Sequence, residues 1–307
     1  MITPIITSTY QQKYQYKKGL RQNCSNLAPL SFDTVSFKSI NLLGKNSKEI
    51  SEIVKEAVIH TENIGFGSEG TVYKIPDTDY CVKILKGESI NNFGHWRFNV
   101  SEQDKINHIV AKSNNDSVIM KHLDGRSLKW NKPDEIFELP KSSYKNLLIQ
   151  LEKAKDECLK FDNSPSNVIY NPKDKSLTAI DFYEPSPDVE FEYTPLSSVF
   201  TVLKNHSDSS NYVENNRKLG GKLLEIVLDE FSSGKEPEFE IDKRDVFDVF
   251  GELKMESKFN EPTQMRFLRE SFADIFRLRE LPKTEENNKK YNWNIMYSKA
   301  IIRQVLG

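Results

Sequence analysis

Short apolar runs punctuated by turn residues fill the first third of the chain, and longer apolar stripes at helical spacing fill most of the rest. "KEAVIHTENIGFG" and "GTVYKIPDTDYCVKIL" read as three short strands, with "PDTD" as the turn between the second and third. "NVSEQDKINHIV" predicts a helix capped by Ser101 that runs on through Ile106, Ile109 and Val110. "SVIMKHLDG" is a strand ending in a turn. "SSYKNLLIQLEKAKDECLKF" is a helix with Leu147, Leu148, Leu151, Ala154, Cys158 and Phe161 on one stripe. "NVIYNPKDKSLTAIDF" is a hairpin turning at "NPKDK". Beyond Glu184 the pattern is helical, with stripes through Leu219, Leu223, Leu224, Val227, Leu228 and Phe231, and through Leu268, Phe272, Ile275 and Phe276.

Composition changes this picture at one end only. Residues 1–50 are rich in Ser, Thr, Asn, Gln, Tyr and Lys, a mixture too polar to order itself, which predicts a disordered tail. The 307-residue chain as a whole is 37% hydrophobic and 29% charged with a net charge of -2, so no bulk charge draws it to nucleic acid or to a membrane. It carries neither an apolar run of membrane-spanning length nor a signal-peptide core at its start. Cys24, Cys81 and Cys158 are odd in number and far apart, which argues against a disulfide framework and for a reducing compartment. The five histidines lack ligand spacing with those cysteines, so no zinc site is expected.

The chemistry lies in residues spread over the middle of the chain. Gly65, Gly67 and Gly70 have the spacing G-x-G-x-x-G. A dinucleotide-binding turn would need a helix straight after the glycines, whereas "TVYKI" continues as a strand. Lys83 falls on the third strand, and a glycine loop with a strand lysine can hold the phosphates of ATP. Glu102, nineteen residues on, is placed to pair with Lys83. Asp162 stands five residues before Asn167, and Asp181 ends the next strand. These acids and amide are hard oxygen ligands of the kind magnesium takes, with one carboxylate left to receive a hydroxyl proton.

Each residue also has a plainer role. The glycines would serve a tight hairpin, Lys83 and Glu102 a surface ion pair, and "DNSPSN" a turn. None of these explains why the set occurs in this order. Further on, the charges of "QMRFLRESFADIFRLREL" read as a solvated helix face.

Taken in order, the elements resemble the protein-kinase signature set over roughly residues 58–184. "IGFGSEGTVYK" resembles the glycine-rich loop, Lys83 the strand lysine and Glu102 the helix glutamate. "VIMKHLDGRSL" is similar to the strand and hinge, "DNSPSN" to the catalytic loop and "DFY" to the magnesium-binding D-F-G. The resemblance implies an α+β, bilobal protein-kinase-like fold. Residues 51–123 would form a small antiparallel β-rich N-lobe, and residues 124–307 a larger helical C-lobe. It implies ATP and Mg2+ as cofactors, with Asp162, Lys83 and Glu102 catalytic, and Asn167 and Asp181 on the metal. Met120 would be the gatekeeper, Lys121 to Leu123 the hinge, Val72 and Cys81 the roof over the adenine and Ile169 its floor.

The chain departs from that pattern in several places. Lys160 and Phe161 precede Asp162 where histidine and arginine usually stand. Ser164 replaces a lysine, and losing such a cation costs on the order of a hundredfold in rate unless another substitutes. Tyr183 replaces glycine, and "EPSPDVEFEYTPLSS" leaves the activation segment shortened or missing. In this reduction the chain resembles the small bacterial effector kinases, delivered into a host cytosol, that lack that segment. The expectation is a Ser/Thr protein kinase in a cytoplasm or host cytosol, with a protein substrate, no nucleic-acid or membrane partner, and room for an unspecified regulatory partner. Two alternatives stay open: a pseudokinase that binds ATP without transfer, and a small-molecule kinase of the aminoglycoside or choline type.

Overall fold

The computed structural model describes residues 42–66, 70–87, 95–114, 117–130, 133–185, 194–205, 211–255 and 263–306. The expected N-terminal tail lies outside these residues as far as 41. The fold is α+β, a small antiparallel sheet and a larger helical part. No helix among the described residues is long and apolar enough to cross a membrane.

The first described α-helix, α1 (Ser47–His60), corrects the sequence reading, which expects a tail as far as residue 50 and a strand from Lys55. Its start is a capping box: Asn46 Oδ1 accepts from the Lys48 and Glu49 amides, and the Glu49 carboxylate accepts from the Asn46 amide. Ile50, Val54 and Ala57 then form a buried stripe. That stripe packs on a five-stranded sheet of β1 (Asn63–Phe66), β2 (Gly70–Lys74), β3 (Tyr80–Leu85), β4 (Ile109–Lys112) and β5 (Val118–Lys121). The strand order is β1-β2-β3-β5-β4, all antiparallel. Between β3 and β4 lies the short helix α2 (Glu102–Ile106). It stops earlier than the apolar spacing suggests, because His108 takes a left-handed backbone (φ +61°) and Ile109 begins a strand.

Registration decides which way the sheet's side chains face. Val72 lies opposite Lys83, and Cys81 opposite Met120. Opposed residues share a face, as do alternate residues along a strand, so these four point one way. Val82, Ile84 and Ile119 point the other way, into a core with α1 and Trp96.

A second, larger core holds the rest. Segment 122–125 leads from β5 to β6 (Arg126–Ser127), and Leu128 is already in that second core. Helices α3 (Pro133–Phe137) and α4 (Lys141–Asp156) follow. The expected stripe along α4 is buried at Leu147, Leu148, Leu151 and Ala154. Its continuation is not helical: Cys158 is exposed with φ +61°, and Phe161 lies in β7 (Lys160–Phe161). The hairpin of β8 (Val168–Asn171) and β9 (Ser176–Ala179) forms as expected and pairs with β6, and β10 (Phe182–Tyr183) pairs with β7. Five helices complete this part: α5 (Pro195–Asn205), α6 (Tyr212–Ser232), α7 (Lys243–Met255), α8 (Thr263–Glu280) and α9 (Glu285–Val305).

One buried carboxyl in this core makes stability depend on pH. Asp245 on α7 is 4% exposed and its Oδ2 has no hydrogen-bond partner among the described residues. Burial pushes its pKa up to about 6, against the pull of a hydrogen bond from Thr194 and of Lys155, with Asp242 and Asp248 adding to the rise. A carboxyl that binds its proton more tightly when folded supports the fold below its unfolded value of 3.8 and loses that support as pH climbs through 6. Asp245→Asn is therefore expected to raise stability at neutral pH by at most about 3 kcal/mol. The gain should vanish below about pH 4, as melting of both proteins across pH 4 to 7 would reveal; a constant difference would contradict it.

Candidate active site

Two short strands bring the acidic residues together. In the β7–β10 ribbon Phe161 pairs with Phe182 and Lys160 with Tyr183, and the two phenyl rings lie 5.5 Å apart. Asp162 directly follows Phe161 and Asp181 directly precedes Phe182, so the antiparallel register places both carboxylates at the same end of the ribbon. From the sheet, Lys83 Nζ reaches to 3.6 Å from Asp181 Oδ1.

The loop after Asp162 holds itself in place. Asn167 Nδ2 donates to both the main-chain carbonyl and Oδ2 of Asp162, each at 3.3 Å. The Ser164 amide donates to the Asp162 carbonyl, and the Asn167 amide to the Ser164 carbonyl. Ser164 caps the single 3-10 turn Pro165–Asn167, accepting from the Ser166 amide and lying 2.6 Å from its hydroxyl. The residue that departs from the expected lysine thus has a local structural task.

Glu102 requires a correction. It is an exposed residue in the first turn of α2 and pairs with Lys105 in its own helix at 2.6 Å, so it does not hold Lys83. The five-residue helix sets its direction by a capping box in which Ser101 and Asp104 are partners, and Asp104 also takes Lys112 at 2.9 Å. The carboxylate that Lys83 does meet is that of Asp181.

The remaining expected residues divide by face. Val72, Cys81 and Met120 lie on the same side of the sheet as Lys83. The Cys81 thiol is 4% exposed, 3.8 Å from the Met120 carbonyl, and burial pushes its pKa up to about 11, so it packs as a neutral small group. Lys121 ends β5, and Leu123 is half-buried in the connection to β6. Ile169 is half-buried on β8, on the face opposite Val168 and Tyr170, which enter the core.

Gly67 lies outside the described residues, and the other two glycines differ in what they permit. A Cβ at Gly70 would sit 2.3 Å from the Ile84 carbonyl oxygen, whereas at Gly65 it would meet nothing within 4 Å among the described residues. Gly70 is thus required by the approach of β2 to β3, and Gly65 is not crowded by any described residue. Gly70→Ala is expected to cost about 1–3 kcal/mol, because the strands must part. Gly65→Ala should change stability by less than roughly 0.5 kcal/mol. Chemical denaturation of the two variants checks this, and equal losses would count against the distinction.

Among the described residues no group of three or more His, Cys, Asp or Glu is arranged to hold a metal ion. The donor set still suits magnesium, which is commonly held by one or two carboxylates together with water and phosphate oxygens. Asp181, 56% exposed, and the Asn167 amide oxygen supply ligands of that kind. A cavity of about 430 Å³ lies between α5 and α7, lined by Ser197, Phe200 and Lys204 among others, and contains none of these site residues.

Sequence reading overlooked Asn107. Its side-chain amide donates to the Phe182 carbonyl at 2.9 Å and accepts from the Phe182 amide at 2.8 Å. Its neighbour His108 places Nε2 3.4 Å from the Ala179 carbonyl, and burial pushes that imidazole's pKa down. No short-range signal marks either residue, since their partners lie 75 and 71 positions away.

Neither family models nor curated proteins give a match to this chain.

Proposed function

We propose that this chain is an ATP- and magnesium-dependent phosphotransferase of the protein-kinase type, acting on Ser/Thr hydroxyls of protein. The observation that carries the reading is the meeting of Lys83 with Asp181 at 3.6 Å, at the ribbon end that also bears Asp162 with Asn167 bonded to it. The strand order β1-β2-β3-β5-β4, with a helix between β3 and β4, supports a bilobal reading. So do the two separate cores joined through residues 122–125.

In this reading ATP lies against the sheet face that carries Val72, Cys81 and Met120, with its phosphates at Lys83. Lys83 contributes a fixed positive charge where negative charge gathers in the transition state. Asp162 orients the acceptor hydroxyl and takes its proton on a carboxylate oxygen as the oxygen–phosphorus bond forms and the bond to the leaving diphosphate breaks. The Asn167 amide keeps Asp162 in place, and its oxygen, with the Asp181 carboxylate, would hold magnesium. Magnesium, when bound, neutralises charge on the phosphates.

Ser164 favours one second reading, a nucleotide-binding protein that does not transfer phosphate. It caps its loop where a cation would assist transfer. Thermal melting separates binding from its absence. At one hundred times the dissociation constant, MgATP should stabilise the protein by about 2.7 kcal/mol. The effect should be lost in Lys83→Ala, and no stabilisation of the wild type would contradict both readings.

A further inference from the structure

We infer that Asn107 is a positioning residue for Asp181, holding the main chain beside it so that its carboxylate stays at Lys83, where it would help hold magnesium. This inference rests on the phosphotransferase reading. Phe182 is the residue after Asp181, and Asn107 engages both of its main-chain groups, carbonyl and amide, at 2.9 and 2.8 Å. A side-chain amide has the same donor and acceptor as a peptide group, so Asn107 stands at β10 as one residue of a further strand would.

Such a clamp has something to hold. Asp181 sits at φ +65°, in the left-handed region that non-glycine residues seldom adopt, and such a conformation persists where its surroundings over-determine it. Its carboxylate is more than half exposed and has Lys83 as ion-pair partner, so its side chain alone anchors it weakly. The upstream neighbour is tied as well, since the Ile180 amide donates to the Asn167 carbonyl at 2.9 Å. The two sides of Asp181 are thus fixed by Asn167 and Asn107, one from the loop after Asp162 and one from the end of α2.

The clamp also gives α2 a task in place of the expected one. Glu102 turns to Lys105, but the residue following the helix grips the Asp181 segment directly. Gln103 ties the same helix to a different place, the Glu157 carbonyl at the end of α4, at 3.1 Å. It therefore serves as a control for a purely structural loss.

The test uses the full chain in two measurements. Amide hydrogen exchange on the nucleotide-free protein should show the Phe182 amide exchanging at least tenfold faster in Asn107→Ala, with Gln103→Ala unchanged there. Calorimetric ATP binding should need at least tenfold more Mg2+ for half-maximal effect in Asn107→Ala, with metal-free ATP affinity unaltered. Asn107→Asp retains one of the two bonds and the side-chain shape; it serves if the alanine variant does not fold, and should shift both readouts in the same direction. Wild-type exchange and Mg2+ dependence in the Asn107 variants, alongside normal wild-type binding, would overturn the inference alone. A wild-type protein that binds no ATP at any Mg2+ concentration would overturn the phosphotransferase reading and this inference with it. A shift in Gln103→Ala equal to that in Asn107→Ala would reduce Asn107 to a general anchor of α2 and overturn its specific role.

Discussion

Asp181→Asn is expected to lower phosphoryl transfer by a factor on the order of 10²–10³ while leaving the fold in place. The substitution keeps the shape of the side chain and removes the charge that faces Lys83 and would hold magnesium. Its structural cost is small, because the carboxylate is 56% exposed and an ion pair so placed contributes at most about 1 kcal/mol. The clamp on the adjoining main chain acts through Phe182 and is untouched by the change. Rate and stability should therefore separate cleanly, since a transition state of this kind is stabilised by positioned charge rather than by buried surface. Steady-state assays beside thermal melting check this. A variant as active as the wild type, or one that fails to fold, would contradict the placement of Asp181.

The opposite separation is expected at Phe272. Its side chain on α8 is fully buried and meets the Phe250 ring of α7 edge-on, with centroids 5.3 Å apart at 75°. Phe272→Ala removes that contact and opens a cavity between helices whose neighbours are themselves well packed, at a cost of about 3–5 kcal/mol. For a protein of this size the melting temperature should fall by roughly ten degrees. Below the new transition, nucleotide binding per folded molecule should be unchanged, because Phe272 lies in the second core and Lys83 on the sheet. A loss under 1 kcal/mol would show that α7 and α8 are not packed as described.

Much of this architecture was legible in the chain. The strand positions of Gly70, Lys83 and Met120 follow from alternating apolar runs and the "PDTD" turn, and the stripe of α4 from its Leu and Ala spacing. Order and spacing group Lys83, Asp162, Asn167 and Asp181 in one set, but they pair Lys83 with Glu102, whereas Lys83 meets Asp181. What escaped reading has physical causes. The polar composition ahead of Ser51 hid α1, although Asn46 and Glu49 form a capping box and Ile50, Val54 and Ala57 make a stripe at helical spacing. The helix through Ile109 and Val110 ended early because a left-handed His108 breaks it, an event set by tertiary contacts with Ala179. Glu102 has the spacing to reach Lys83, but the short helix with its Ser101–Asp104 box turns it outward. Phe161 fits a helical stripe and sits in a strand, because its partner Phe182 lies 21 residues further on.

The measurement that tests the central claim most directly is transfer itself. Purified protein would be incubated with ATP labelled on the γ-phosphate, Mg2+ and a mixture of generic protein substrates, beside Asp162→Asn. The expected result is label on serine or threonine in the wild-type reaction, reduced by about 10²–10⁴ in the variant, which retains wild-type MgATP binding. Absence of label from the wild type, or equal label from both proteins, would contradict the assignment of this site to phosphoryl transfer.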